Sequence, residues 1–235
     1  MFGQYDIPIR IEQEGITVSV QKEGENILYM RECLGESVEK ILVAGSGKLL
    51  LNPAEPVNKP KALASHLLIE FANTLQVEPK GTRNIFLTFP VEIAVFMPSN
   101  EEFEVIDTFT LARQKFTLYG DPINGVICKY WKSSIYAAEP SLNRIQEGLI
   151  ELTVTNTTTG WVEVTKTVFN AYGMKIYYDD EKVSMKANMK LKGGGSAETD
   201  FIDASLVEGM IKSIEMYTVR KLSVTKKSFI MESGL

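Results

Sequence analysis

Lysine and aromatic side chains meet at Lys129-Tyr130-Trp131-Lys132, with Tyr136 just beyond. Cations beside ring faces are the chemistry that stacks on bases or sugars, or grips a protein partner. This is the strongest binding lead in the chain. Asp179-Asp180-Glu181 offers carboxylates to Ca²⁺ or Mg²⁺, or a pair for glycosidic chemistry. The single histidine, His66, has the titration range of a general base. Gly45-Ser46-Gly47-Lys48 resembles part of a phosphate loop, in which backbone amides cradle phosphates and a lysine reaches the terminal ones.

Each feature also has a plainer structural reading. Strand alternation puts Ile127, Lys129 and Trp131 on one face and Val126, Cys128 and Tyr130 on the other, so at least one aromatic belongs to the core. The acidic run lies between two strand-like segments and reads as a solvated turn, since a calcium loop needs more oxygen ligands at fixed spacing. His66 has no evident nucleophile: there is no G-x-S-x-G elbow, and neither cysteine has a recognisable catalytic setting. A structural histidine is expected. The phosphate-loop pattern fails at Leu49, where Ser or Thr should hold magnesium, and at Leu42, where its first glycine should stand; a hairpin turn is expected instead. Arg220, Lys221, Lys226 and Lys227, near Tyr217 and Phe229, read as an exposed strand face.

The elements that must position these residues are mostly strands. Ile7, Ile9 and Ile11 alternate with polar residues, as do Ile16, Val18 and Val20 after Gly15, and Ile27 and Tyr29 share a face in a third strand. Residues 62–74 would also make a helical stripe. The alternating runs Ile85-x-Leu87-x-Phe89 and Val91-x-Ile93-x-Val95 that follow favour strand. A hairpin is expected over 115–131 around Asn124-Gly125, and a meander over 149–191. Residues 134–148, with Pro140 and few apolar repeats, form the candidate linker. Gly193-Gly194-Gly195-Ser196 reads as flexible. Ile202, Leu206, Met210 and Ile214 recur every four residues and predict a helix over about 200–215. The expected architecture is therefore mainly β: two β-sandwich-like domains with antiparallel strands, 1–138 and 139–235, and one helix near the C-terminus.

Composition narrows the function classes. Lys and Arg number 25 against 30 Asp and Glu, a net charge of −5, so the basic excess of a dedicated nucleic-acid binder is missing. One His and two widely spaced cysteines, Cys33 and Cys128, leave soft-metal sites without ligands, and no cofactor is expected. The N-terminus lacks the pattern of a signal peptide, and no apolar run is long enough to span a bilayer, so a cytoplasmic location is expected.

Five strings together resemble an archaeal family of uncharacterised proteins, domain-of-unknown-function family 432. They are Asn52-Pro53-x-x-Pro56-Val57-Asn58, Leu87-Thr88-Phe89-Pro90-Val91-Glu92-Ile93, Lys115-Phe116-Thr117-Leu118-Tyr119-Gly120, Gly125-Val126-Ile127-Cys128-Lys129-Tyr130-Trp131 and Trp161-Val162-Glu163-Val164-Thr165-Lys166. The resemblance covers nearly the whole chain and implies no activity and no catalytic residue. The sequence thus leaves the function unknown. A non-catalytic interaction or scaffold protein is the leading expectation, with a protein partner or self-association favoured over nucleic acid. The alternative is a hydrolase acting on a sugar or phosphate compound with carboxylates at the inter-domain cleft.

Overall fold

The computed structural model describes residues 1–43, 47–60, 63–99, 102–221 and 227–235. The first strands are β1 (Gly3–Asp6), β2 (Ile9–Gln13), β3 (Ile16–Glu23), β4 (Asn26–Cys33), β5 (Glu36–Leu42) and β6 (Lys48–Ala54). The middle of the chain supplies β7 (His66–Val77), β8 (Thr82–Pro90), β9 (Glu92–Ser99), β10 (Glu102–Phe109), β11 (Phe116–Tyr119) and β12 (Val126–Ser133). The remainder forms β13 (Glu147–Asn156), β14 (Val162–Asn170), β15 (Tyr177–Tyr178), β16 (Val183–Lys192), β17 (Ser196–Ile202), β18 (Ile211–Lys212), the short helix α1 (Met216–Val219) and β19 (Phe229–Met231). The protein is mainly β, with antiparallel and mixed sheets and one short helix near the C-terminus.

Four sheets result. The meander β2-β3-β4-β5 is antiparallel throughout, as is β1-β6-β9-β10. In β11-β12-β7-β14 the β12–β7 pair is parallel, and in β18-β15-β16-β13-β8, extended by β17 and β19, the β13–β16 pair is parallel. Period-two alternation sets the inward face of the meander: Ile16, Val18 and Val20 on β3 are buried, and so are Ile27, Tyr29, Arg31 and Cys33 on β4. Leu67, Leu68, Ile69 and Phe71 form a nearly continuous buried run in the first half of β7, which lies between β12 and β14. Residues from all four sheets join one hydrophobic cluster.

Several local expectations give way to long-range pairing. The segment read as a helix over 200–215 is strand up to Ile202, because Ser196–Ile202 pairs with β16, and β19 covers its other edge. Gly209, at φ 89°, is incompatible with a helix through that point, and helix begins only at Met216. The glycine tract forms the loop of the β16–β17 hairpin, where Gly194 and Gly195 supply positive φ. Gly45 and Ser46 lie outside the described residues. The strands flanking them are not hairpin arms, since β5 pairs with β4 while β6 pairs with β1 and β9.

The strands expected to form a meander over 149–191 also divide, with β14 joining β7 and β13 lying parallel to β16. The division expected at 138/139 runs through two sheets, since β7 pairs with β14 and β8 with β13 across it. Low apolar content there marks an extended connection pinned by the Phe86–Tyr136 bridge and the buried Ile145. Sparse apolar residues report missing local periodicity, not a missing sheet partner. No described helix is long and apolar enough to cross a membrane.

Candidate functional site

The structure does not bring Lys129, Tyr130, Trp131, Lys132 and Tyr136 onto one surface. Lys129 is fully enclosed; its ammonium donates to Gln114 Oε1 and lies 5.1 Å from the Phe116 ring centroid. Trp131 Nε1 donates to Thr88 Oγ1 at 2.9 Å, while Tyr130 and Lys132, on the opposite face, both turn to Glu70. Tyr136 pairs through its backbone with Phe86. Alternation along β12 separates the strip, and Lys129 takes an inward position.

Asp179 closes a turn by accepting the amides of Glu181 and Lys182 at 2.8 Å each, and Asp180 projects fully into solvent. Among the described residues no three His, Cys, Asp or Glu side chains are grouped to hold a metal. His66 packs edge-on against Phe229, with Nδ1 2.9 Å from Ser65 Oγ, and burial lowers its pKa to about 4. A cavity of about 330 Å³ does open at the expected linker, lined by Glu139, Arg144, Glu147, Glu181 and Lys182 among others. There Glu139 is held by Lys182, and Arg144 donates to the Asp179 carbonyl. Those cations already engage groups of the protein itself.

A buried charge that sequence reasoning passed over defines a different site. Arg31 occupies an inward register position of β4, between Tyr29 and Cys33, and is 1% exposed. Its Nε donates to Asp107 Oδ2 at 2.7 Å, Tyr29 donates to the same oxygen at 3.0 Å, and the guanidinium carbon lies 5.1 Å from the Phe109 ring centroid. The far side of the group is unmet. Neither Nη1 nor Nη2 makes a hydrogen bond among the described residues, and the closest ion-pair contact there is Glu36 Oε2, 3.8 Å from Nη2. Arg31 lines a cavity of about 190 Å³ together with Lys59, Arg113, Glu36 and Gln114, and with apolar walls at Cys33, Leu34, Phe109 and Ala112. Lys59 Nζ reaches Glu36 Oε2 at 3.1 Å. Burial raises the pKa of the Cys33 thiol, so it lines the wall as a neutral group.

Behind this cavity lies an enclosed polar network that holds two of its walls. Glu92 is 1% exposed and accepts the backbone amides of Asn58 (3.0 Å) and Lys59 (3.3 Å). Burial pushes its pKa up, and the charge of Lys129 opposes that rise. Lys129 in turn fixes the Gln114 amide. Glu55, also buried, accepts the amide of Met216, and its pKa is pushed up by burial to about 8. Asn58 links the network to Arg220, whose Nη1 donates to Asn58 Oδ1 at 2.8 Å. Both carboxyls are enclosed by protein, unlike a hydrolase pair that must face a substrate.

One signal would have found Arg31: continuing the Ile27, Tyr29 alternation by one step lands a guanidinium on the core face. Cavity, free donors and surrounding cations give a site able to hold an anion, with no nucleophile and base paired beside it among the described residues. No curated protein and no solved structure matches the chain. A family model does match, over residues 1–232, and the chain accordingly belongs to the family described as protein of unknown function DUF432.

Proposed function

We propose that this protein is a non-catalytic binding protein for a small anion, held by Arg31 in the cavity between β4 and the chain that follows β10. The observation that carries the proposal is the pair of unsatisfied guanidinium nitrogens on a fully buried arginine at the wall of that cavity. A buried donor without an acceptor costs about 1–3 kcal/mol, and more when charged. An anion accepting from Nη1 and Nη2 together removes that cost and makes a forked, charge-assisted pair. Three cations against one carboxylate line the cavity, which favours a dianion such as a phosphoryl group over a monoanion.

Calorimetric titration of the full-length protein with inorganic phosphate and methyl phosphate at low ionic strength tests this. Binding is expected for the wild type. A Lys59→Ala/Arg113→Ala variant, altered at two side chains that reach solvent, is expected to bind about tenfold more weakly with unchanged far-UV circular dichroism. Equal affinity in the two proteins, or no heat of binding at millimolar phosphate, overturns the proposal.

A further inference from the structure

The β4–β5 hairpin turns through two residues, Leu34-Gly35, with φ of 50° and 79°, the positive pair of a type I′ turn. The first position of such a turn favours Asn, Asp or Gly, since other side chains crowd the backbone in the left-handed region. The meander's other two hairpins use a polar residue or a glycine there: Glu14-Gly15, at 51° and 77°, and Gly24-Glu25, with Gly24 at 64°. Leu34 is unfavourable twice over, because its apolar side chain is also 69% exposed. It is also the turn residue that lines the Arg31 cavity.

Building on the anion reading, we infer that the ligand is a phosphomonoester carrying a short apolar group, and that Leu34 is the specificity residue that covers this group. The cavity is polar at Arg31, Lys59 and Arg113 and apolar at Cys33, Leu34, Phe109 and Ala112, so it matches a ligand with both characters. Its size agrees. A cavity of about 150 Å³ takes up benzene, so about 190 Å³ accepts a phosphoryl group with a few carbons beside it. With the phosphoryl oxygens on the guanidinium, the carbon chain lies against Leu34 and withdraws it from water.

The test is a calorimetric series of inorganic, methyl, ethyl and propyl phosphate against the full-length wild type and Leu34→Asn. Asparagine is at home in the left-handed region, so the variant keeps the hairpin, and its melting temperature reports that directly. In the wild type each added methylene is expected to tighten binding about threefold. Leu34→Asn should flatten the series, with the loss of affinity growing from inorganic to propyl phosphate. A flat wild-type series, or a variant that loses inorganic phosphate as strongly as propyl phosphate, overturns the role given to Leu34 and leaves the anion site standing. If no phosphate binds the wild type, the parent reading falls and this one with it.

Discussion

Arg31 lies within β4 and Glu55 directly after β6, and both are almost wholly shielded from water. They resolve that burial differently. A carboxyl group can take up a proton, and burial pushes Glu55 up to about 8, so at neutral pH it is mostly the uncharged acid. A guanidinium cannot discard its charge and must be matched by an acceptor. Asp107 provides one on the Nε side, while Nη1 and Nη2 have none among the described residues, on a side chain that lines a cavity. Two buried ionisable groups on one scaffold therefore carry different meanings: one completes the fold, and the other leaves room for a partner.

The contrast is broken most easily by deleting each charge in turn. Arg31→Met keeps the volume but strands the Asp107 carboxylate, itself 9% exposed, with Tyr29 as its remaining side-chain donor. The expected loss is about 3 kcal/mol or more in urea unfolding. Glu55→Gln replaces an acid that is neutral when folded by its isostere. Because the wild type must take up a proton on folding at pH 6 and Gln need not, the variant should gain stability, on the order of 2 kcal/mol. Equal losses for the two variants would erase the distinction.

The pH dependence of stability sharpens it. Because the folded pKa of Glu55 is raised from the ordinary 4.5 to about 8, the folded state holds the proton that the unfolded state releases. Its contribution is full below about 4.5 and is lost as pH rises through about 8. His66 acts in the opposite sense: lowered to about 4 from 6.5, it contributes fully above 6.5 and loses that contribution as pH falls through about 4. The two oppose each other below 6.5. Between 6.5 and 8 the Glu55 contribution falls alone of the two, by on the order of 2 kcal/mol. Thermal unfolding across that window should show the decline in the wild type and a shallower one in Glu55→Gln. Parallel curves would mean that Glu55 is ionised in the folded state.

Much of the strand content was legible because alternation is local: β2, β3, β4, β8 and the β11–β12 hairpin all follow from apolar residues two apart and from turn residues such as Asn124-Gly125. Sheet membership was not. The fourfold spacing of Ile202 to Ile214 is a helical signal, yet Ile202 pairs with Lys186 of β16 and Gly209 takes a positive φ. No local pattern reports that β12 lies parallel to β7, or that β13 lies parallel to β16. The candidate site was half legible. Arg31 could be placed inward from Ile27 and Tyr29, but Asp107 and Arg113 reach it from elements more than 70 residues away, and only the folded chain sets them together. Lys129 drew attention for its aromatic neighbours, yet it acts from inside, holding Gln114 at the cavity wall.

The smallest expected effect concerns Glu36, which stands between the two regions in kind: a carboxylate that partners charge, yet one open to solvent. Its Oε2 lies 3.1 Å from Lys59 Nζ and 3.8 Å from Arg31 Nη2, and its side chain is 65% exposed. Such an exposed pair contributes about 0–1 kcal/mol to stability. Its placement makes it a weak competitor for the cations an incoming anion would use. Glu36→Gln should leave urea unfolding within about 0.5 kcal/mol of the wild type, and should tighten binding of inorganic phosphate about threefold, less at high salt. If Glu36→Gln weakens phosphate binding instead, Glu36 organises Lys59 and Arg31 for the ligand, and the two unmet nitrogens of Arg31 are held in place by the carboxylate rather than contested by it.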